Sequence, residues 1–384
     1  MKSRLLIYLS VLSLLTAGAM ADVPLRIVTF NTYQGIANAP ADRAASGNLL
    51  TSLDLDGPGP NTSLMPDIVC LQETTSLANL QSFRNDFLPG YQVIKGPTTD
   101  GFFSNGYFFR GDLVQLKFDE FGLGGPRPLL RLILGVPGTP EHIVVYNEHF
   151  KAGQDGASES VRAVEANAAA NRVAFDRQYG IDVDGDSVRE FFPRYYFFVG
   201  DLNQDDFADT TIDPLLDGGS NGLPTALNDM RVETLYGAQF PLVFLGDTYS
   251  TRTTLSRRYD YILVSDELYT QFDTNADQTV DQDELDAAGF AYISGDDGGA
   301  QASGDEDATA NASDHAPVVL DFQVPGIIGD LDGDGDVDLS DLAALLGNYG
   351  TTSGASYEDG DLDGDGDVDL SDLAALLANY GTGT

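Results

Sequence analysis

Tyr195-Tyr196-Phe197-Phe198-Val199-Gly200-Asp201-Leu202-Asn203 is the stretch on which the fold turns. Five apolar or aromatic residues run into a glycine and then into two short polar groups. A continuous apolar run of this length reads as a strand buried on both faces. Gly200 reads as a sharp turn. Asp201 and Asn203 then sit at the strand mouth, two residues apart and on one side. One accepts protons and the other is an uncharged hydrogen-bond donor. Taken alone, the pair fits an Asx-type turn closing a strand equally well.

Working outward, other stretches share this construction. Leu25–Asn31 is a strand ending in an amide, and Pro66–Glu73 is a buried strand ending in a carboxylate. Ile143–His149 ends in a histidine and continues as Phe150-Lys151-Ala152-Gly153. Asp260 opens the strand Asp260–Val264, and Ser313-Asp314-His315-Ala316-Pro317 leads into Val318–Leu320. Between them, Ala41–Leu55 is helical in part, while Leu77–Phe87 and Ser158–Tyr179 have helical spacing. Shorter strands are expected around Tyr91–Lys95, Gly106–Phe109 and Leu129–Leu134, and a loop over Asp56–Ser63. Strands alternating with helices give an α/β pattern, whose ligand sites collect at one end of the strands. The polar tips are Asn31, Glu73, His149, Asp201, Asn203, Asp260, Asp314 and His315; the third histidine, His142, reads as a surface residue.

Lys2 and Arg4 precede an apolar run from Leu5 to Leu15, and Ala19-Met20-Ala21 forms a cleavage signal. A signal peptide is therefore expected over residues 1–21, with a secreted or periplasmic chain starting near Asp22 and no transmembrane segment. Cys70 is the single cysteine and lies in an apolar run, so it reads as a small buried hydrophobe. The net charge of −40 is uneven: all 20 Lys and Arg lie at or before Arg258, against 30 acids there and 30 after. A mildly acidic body thus carries an acidic, cation-binding tail. That excess speaks little of the substrate, because polyanion binding needs only a local basic groove. Lys151, Arg162, Arg172, Arg177, Arg257 and Arg258 are the candidates for one.

The tip residues limit the chemistry. No Cys/His cluster has zinc spacing and no G-x-S-x-G nucleophile occurs. Amide and carboxylate oxygens suit a hard cation, and two histidines with a spare carboxylate can move protons around a water. Metal-assisted phosphoester hydrolysis by water is the chemistry favoured. Each piece also has a plain reading: Glu73 as a strand-end surface residue, His149 as a half-buried histidine, Asp260 paired with Arg257 or Arg258, Asp314 as a turn cap.

Ile27-Val-Thr-Phe-Asn31, Asp67-Ile-Val-Cys-Leu-Gln-Glu73, Asn147-Glu-His149, Gly200-Asp201-Leu-Asn203, Arg258-Tyr-Asp260-Tyr-Ile and Ser313-Asp314-His315-Ala-Pro resemble the motif set of the endonuclease/exonuclease/phosphatase family, over roughly residues 24–323. The resemblance implies a four-layer α/β sandwich, two mixed β-sheets flanked by helices, spanning residues 22–324. It implies Glu73 as main metal ligand, with Asn31 and Asp314 at the same Mg2+ or Mn2+ ion (or Ca2+). It makes Asp201 the residue that orients or deprotonates water, Asn203 a phosphate ligand, and Asp260 the partner of His315. His149 is the second histidine at the phosphate. One departure stands out: where some branches carry a Glu that supports that histidine, this chain has Phe103, Ser104 and Asn105.

Asp273, Asn275, Asp277, Thr279, Asp281 and Glu284 fit the ligand positions of an EF-hand calcium loop, with Gln278 where glycine is usual. The loop falls in an acidic insertion over 266–312; a solvated acidic linker is the plain alternative. Gly329–Leu346 is repeated identically as Gly360–Leu377, a period of 31 residues. Calcium ligands are expected at Asp330, Asp332, Asp334, Asp336, Asp338 and Asp341, and at Asp361, Asp363, Asp365, Asp367, Asp369 and Asp372. Tandem loop–helix units of this kind look like a dockerin, which implies a small all-α domain over 325–384 with a cohesin-like partner; a calcium-stabilised spacer is the alternative. The expectation is a secreted, monomeric, metal-dependent phosphodiesterase acting on extracellular nucleic acid. Its rivals are a sphingomyelinase-like phospholipase C or an inositol or lipid phosphatase, which would need an exposed apolar loop at Gly101-Phe102-Phe103 or Phe191-Phe192, and a non-catalytic calcium-binding surface or adhesion protein, in which the site would not converge.

Overall fold

The computed structural model describes residues 22–32, 40–51, 66–137, 139, 141–189, 191–204, 212–231, 234–236, 243–244, 257–293, 313–326, 328–331, 337–355, 359–363 and 365–382. The signal peptide expected over 1–21 and the loop over 56–63 lie outside them. The chain divides into two compact units: Pro24–Val136 with Glu141–Val324 form the larger, and Pro325–Thr384 belongs to the smaller.

The larger unit holds the strands β1 (Val23–Asn31), β2 (Ile68–Thr74), β3 (Gln92–Lys95), β4 (Ser104–Phe109), β5 (Val114–Gly122), β6 (Pro128–Gly135), β7 (His142–His149), β8 (Tyr195–Asp201), β9 (Leu227–Asp229), β10 (Thr234–Tyr236), β11 (Val243–Phe244), β12 (Asp260–Ser265), β13 (Gly289–Ile293) and β14 (Val318–Val324). They form two mixed sheets, ordered β11-β10-β13-β14-β1-β2-β4-β3 and β5-β6-β7-β8-β12-β9. The parallel pairs β1/β2 and β7/β8 lie at the centres, where apolar runs such as Tyr195–Val199 are buried throughout. The sheets face each other. Tyr107 Oη of β4 lies 3.0 Å from Val145 O and 3.2 Å from Leu130 O, and Phe197 packs on Phe322 at 4.7 Å between centroids.

Helices cover the outer faces. Leu49 and Leu50 of α1 (Pro40–Thr51) and Leu80 and Phe83 of α2 (Leu77–Phe87) share a core with Val28, Phe30, Val69 and Phe108. On the other sheet, α3 (Gly156–Tyr179) sets Ala166, Ala169, Ala170 and Val173 against Val144, Tyr146, Tyr196 and Phe198. The small residues recur at three- and four-residue spacing, which lets the helix axis approach the sheet closely. Asp155 caps α3, accepting from Ala157 N and Ser158 N at 3.1 Å.

Three local expectations change. Gly200 is not a turn: it lies inside β8 at φ +139, and a Cβ there would come 1.9 Å from Glu148 O of β7. Glycine is required because the neighbouring backbone passes too close for any side chain. The sheet-edge strand β5 was not expected, because its half-exposed, charge-interrupted sequence carries little apolar signal. Finally, the acidic insertion is more than a loop. After α4 (Asp213–Asp217), which precedes β9, the insertion contains α5 (Asp266–Tyr269) and α6 (Gln282–Ala288), and it supplies β13 to the first sheet. Cys70 is fully buried in β2.

The smaller unit contains α7 (Leu339–Asn348) and α8 (Leu370–Asn379). Each starts with the same capping box: Asp338 with Asp341, and Asp369 with Asp372. Val337, Leu345, Leu362, Val368 and Leu376 form the core. The two copies pack reciprocally: Gly329 lies against Leu376 and Gly360 against Leu345, where a Cβ would meet them at 3.2 and 3.1 Å.

Candidate active site

Strand register assembles the site. His149 of β7 stands opposite Asp201 of β8, and Asp201 stands opposite Asp260 of β12, so three adjacent strands place three polar groups in one row. Asn31, at the end of β1 in the facing sheet, donates from Nδ2 to Asp201 Oδ2 at 2.8 Å. His315, just before β14, sets Nδ1 2.7 Å from Asp260 Oδ2. His149 Nε2 lies 3.4 Å and His315 Nε2 3.6 Å from Asp201 Oδ2. The other carboxylate oxygen, Asp201 Oδ1, accepts the N–H of Asn203 at 2.9 Å. The Asx turn is therefore real, and the same Asp201 also faces both histidines. Asn203, at φ +51, donates from Nδ2 to Phe150 O at 3.2 Å.

Burial sets the electrostatics. It pushes the Asp201 carboxyl up to about 6, with Asp260 adding to the rise, while His315, Asn31 and the Asn203 N–H oppose it. Burial, then the charge of Arg127 and His315, holds His149 well below the ordinary imidazole value, so it is neutral at neutral pH. The Asp260 hydrogen bond fixes the other histidine, with the His315 proton on Nδ1 and Nε2 turned to Asp201.

Glu73 follows Gln72, the register partner of Asn31, and sits where the β2/β4 pairing shifts. Its φ of +57 is costly for a non-glycine residue, and bulges of this kind re-aim side chains. The Asp314 side chain is 36% exposed, with Oδ1 3.9 Å from His315 Nε2. Among the described residues, the tight group with metal-ligating atoms at this site is Asp201, Asp260 and His315, within 4.8 Å of one another. Two of its atoms already share the 2.7 Å hydrogen bond, so we read it as a proton-handling group.

The basic surface expected around the site is largely absent. Arg162 is fully buried, Arg172 is tied to Asp176, and Arg258 is 3% exposed and bidentate to Asp229. Long guanidinium stems bury readily when a carboxylate or carbonyl awaits them. Lys151 and Arg257 stay half-buried, and Arg257 Nη1 lies 3.2 Å from the hydroxyl of Tyr259, whose ring neighbours His315. His142 is not a surface residue: it is half-buried, its ring 5.2 Å from Phe191.

In the 273–284 loop, Asp273 Oδ1 and Oδ2 accept from Asp277 N and Gln278 N, and Glu284 Oε1 accepts from Thr274 N at 2.7 Å. Gln278 adopts φ +73, the strained backbone that glycine would take freely. In the tail, Asp332, Asp334 and Asp336 lie outside the described residues. Asp361, Asp363 and Asp372 cluster, as do Asp367, Asp369 and Asp372. Burial and then the neighbouring carboxylates raise Asp363 and Asp367. One acidic cluster escaped the sequence reading, Asp182, Asp184 and Asp186, although its Asp-Val-Asp-Gly-Asp spelling was visible. The buried Arg127, Glu148 and Glu165 beneath His149 were also missed, because burial of a charge has no sequence signature.

The model of the Endonuclease/Exonuclease/phosphatase family matches residues 28–315. Similar solved structures include the human Nocturnin catalytic domain (15% identity, 79% of this chain, 97% of that one, TM-score 0.46). They also include an endonuclease/exonuclease/phosphatase from Beutenbergia cavernae (17%, 79% and 72%, 0.48) and D. rerio TDP2 complexed with a single-strand DNA product (15%, 79% and 100%, 0.44). No curated protein matches the chain.

Proposed function

The chain belongs to the endonuclease/exonuclease/phosphatase family and is a metal-dependent hydrolase of phosphoester bonds; we propose that it is a phosphodiesterase that attacks with a water held at Asp201. The observation that carries this is the convergence of His149 and His315 on one oxygen of Asp201, with Asp260 behind His315. A non-catalytic body would have no reason to gather them.

In this reading Asp201 Oδ2 takes the proton of the attacking water, and Asn31 and Asn203 hold the carboxylate in place through their N–H groups. His315, its tautomer fixed by Asp260, and neutral His149 flank the phosphate; as the water oxygen bonds phosphorus the P–O bond to the leaving oxygen breaks, and that oxygen departs with the electron pair and takes a proton from solvent. The oxygen donors Asn31, Glu73 and Asp314 fit a hard divalent cation such as Mg2+ or Mn2+. When bound, that ion supplies charge neutralisation for the phosphate.

Nucleic acid is the substrate proposed, with Lys151 and Arg257 as the cations beside the site. A second reading has its own observation: Phe102 is 79% exposed beside Phe103, the apolar loop that a phospholipase would need. The chain is further proposed to be secreted, with a calcium-binding, dockerin-like tail ready for a cohesin-like partner.

The test is hydrolysis of plasmid DNA, RNA, sphingomyelin and an inositol phosphate with Mg2+, Mn2+ or Ca2+, and after chelation. Metal-dependent cleavage of nucleic acid that His315→Ala lowers by about 10²- to 10⁴-fold supports the proposal. Cleavage of the lipid alone replaces the substrate. Inactivity of the folded, metal-loaded chain on all four would sink it.

A further inference from the structure

The segment that leaves β7 toward the site is held by buried charge. His149 N–H donates to Glu148 Oε1 at 2.8 Å, and Arg127 Nη1 donates to His149 O at 2.7 Å and Phe150 O at 3.2 Å. Phe150 N–H donates to Asp201 O at 3.0 Å. Lys151 N–H donates to Glu165 Oε2 at 2.8 Å, and Arg162 Nη1 donates to Lys151 O at 3.0 Å and reaches Gly153 O. Every backbone donor and acceptor from His149 to Lys151 therefore has a partner, five of the six being met by the ionisable side chains of Arg127, Glu148, Arg162 and Glu165.

Those side chains are deeply placed. Glu148, Arg162 and Glu165 are 0% exposed, and Arg127 is 9% exposed. Gly125 passes so near that a Cβ there would lie 1.6 Å from Glu165 Oε1. Burying charge is unfavourable, and apolar side chains would support a strand end without that penalty. What apolar contacts cannot do is fix the direction of each N–H and C=O. Here the direction matters, because this backbone carries His149 on one side and Lys151 two residues on.

We propose that Glu165 and Arg162 of α3 are positioning residues for the hydrolysis: they fix the backbone of Lys151 at the far end of a segment whose near end Glu148 and Arg127 fix, and so turn His149 and Lys151 toward the scissile phosphate. The inference rests on the phosphodiesterase reading above. The groups facing Glu165 are Arg162 on its own helix, Glu148 on β7, Lys151 on the segment and Arg127 before β6. Burial raises Glu165 to about 7 against the pull of Lys151, Arg127 and Arg162; burial and then Glu165 raise Glu148 well above the ordinary carboxylate value. Near neutral pH the two carboxyls thus retain a proton between them.

The experiment measures kcat and KM of the full chain with bis(p-nitrophenyl) phosphate and with single-stranded DNA. Glu165→Ala should lower kcat about 10- to 100-fold, the effect of a catalytic group misplaced by an ångström. Glu165→Gln, whose amide oxygen still accepts the Lys151 N–H, should recover most of it. Val164→Ala, on the exposed side of α3, should change nothing. Unaltered kcat in Glu165→Ala, with the wild type active, overturns the positioning role alone. Inactivity of the folded wild type on both substrates overturns the functional reading and this inference with it. Should Glu165→Ala not fold, Arg162→Lys decides: it keeps the charge but loses the guanidinium nitrogen that bonds Lys151 O and Gly153 O, so kcat should fall about 10-fold with KM near wild type, and unaltered kcat overturns the proposal.

Discussion

Asp201 serves two ends with its two oxygens. One closes the turn through Asn203 N–H, and the other meets Asn31, His149 and His315. Asp201→Asn keeps an acceptor for the turn but cannot take a proton from water. It should therefore lower kcat by about 10²- to 10⁴-fold with a melting temperature close to wild type; a matching collapse in stability would reassign Asp201 to structure. Beside it, Gly200→Ala forces a Cβ into Glu148 O and a side chain into φ +139. Chemical denaturation should show a loss of about 3 kcal/mol or more. Asp201, Asn203 and His149 were legible because polar residues ending apolar strands are conspicuous. The role of Gly200 was not, because a glycine needed for a turn and one needed for close approach look alike in sequence.

The element that bears most on the site is α3. Its helical spacing was readable, whereas Arg162 was read as part of a basic surface and Glu165 drew no reading at all. Their burial depends on the segment just ahead of the helix, which turns back to offer Lys151 N–H and O. Glu165 titrates from 4.5 in the unfolded chain to about 7 in the fold. The protonated form is the one the fold prefers, so its contribution is complete below 4.5 and is lost as pH rises through about 7. Thermal melts should show wild type losing stability between about pH 4.5 and about pH 7, with Glu165→Gln losing less. Parallel slopes in the two proteins would rule this out. Sheet β5 to β9 was legible only at its centre, since edge strands such as β5 carry charge where buried ones carry valine and leucine.

For the whole molecule, the motifs and their order foretold two mixed sheets with helices, while the charge around the site was misjudged. Arginine count says nothing of where a guanidinium points, and Arg258 and Arg162 point inward. The charge divides as −10 up to Arg258 and −30 beyond, and the proposed calcium loops all lie in the second part. Calorimetry with and without chelator should show one transition that falls when calcium is removed and another that persists. A single transition unmoved by calcium would contradict a calcium-held tail. In that tail, Gly329 is covered by Leu376 and Gly360 by Leu345, so each copy of the repeat roofs the other. A peptide carrying one copy alone would have both a roof and a space in need of one. Two such peptides should find each other in solution, which makes the end of this chain a tethered dimer.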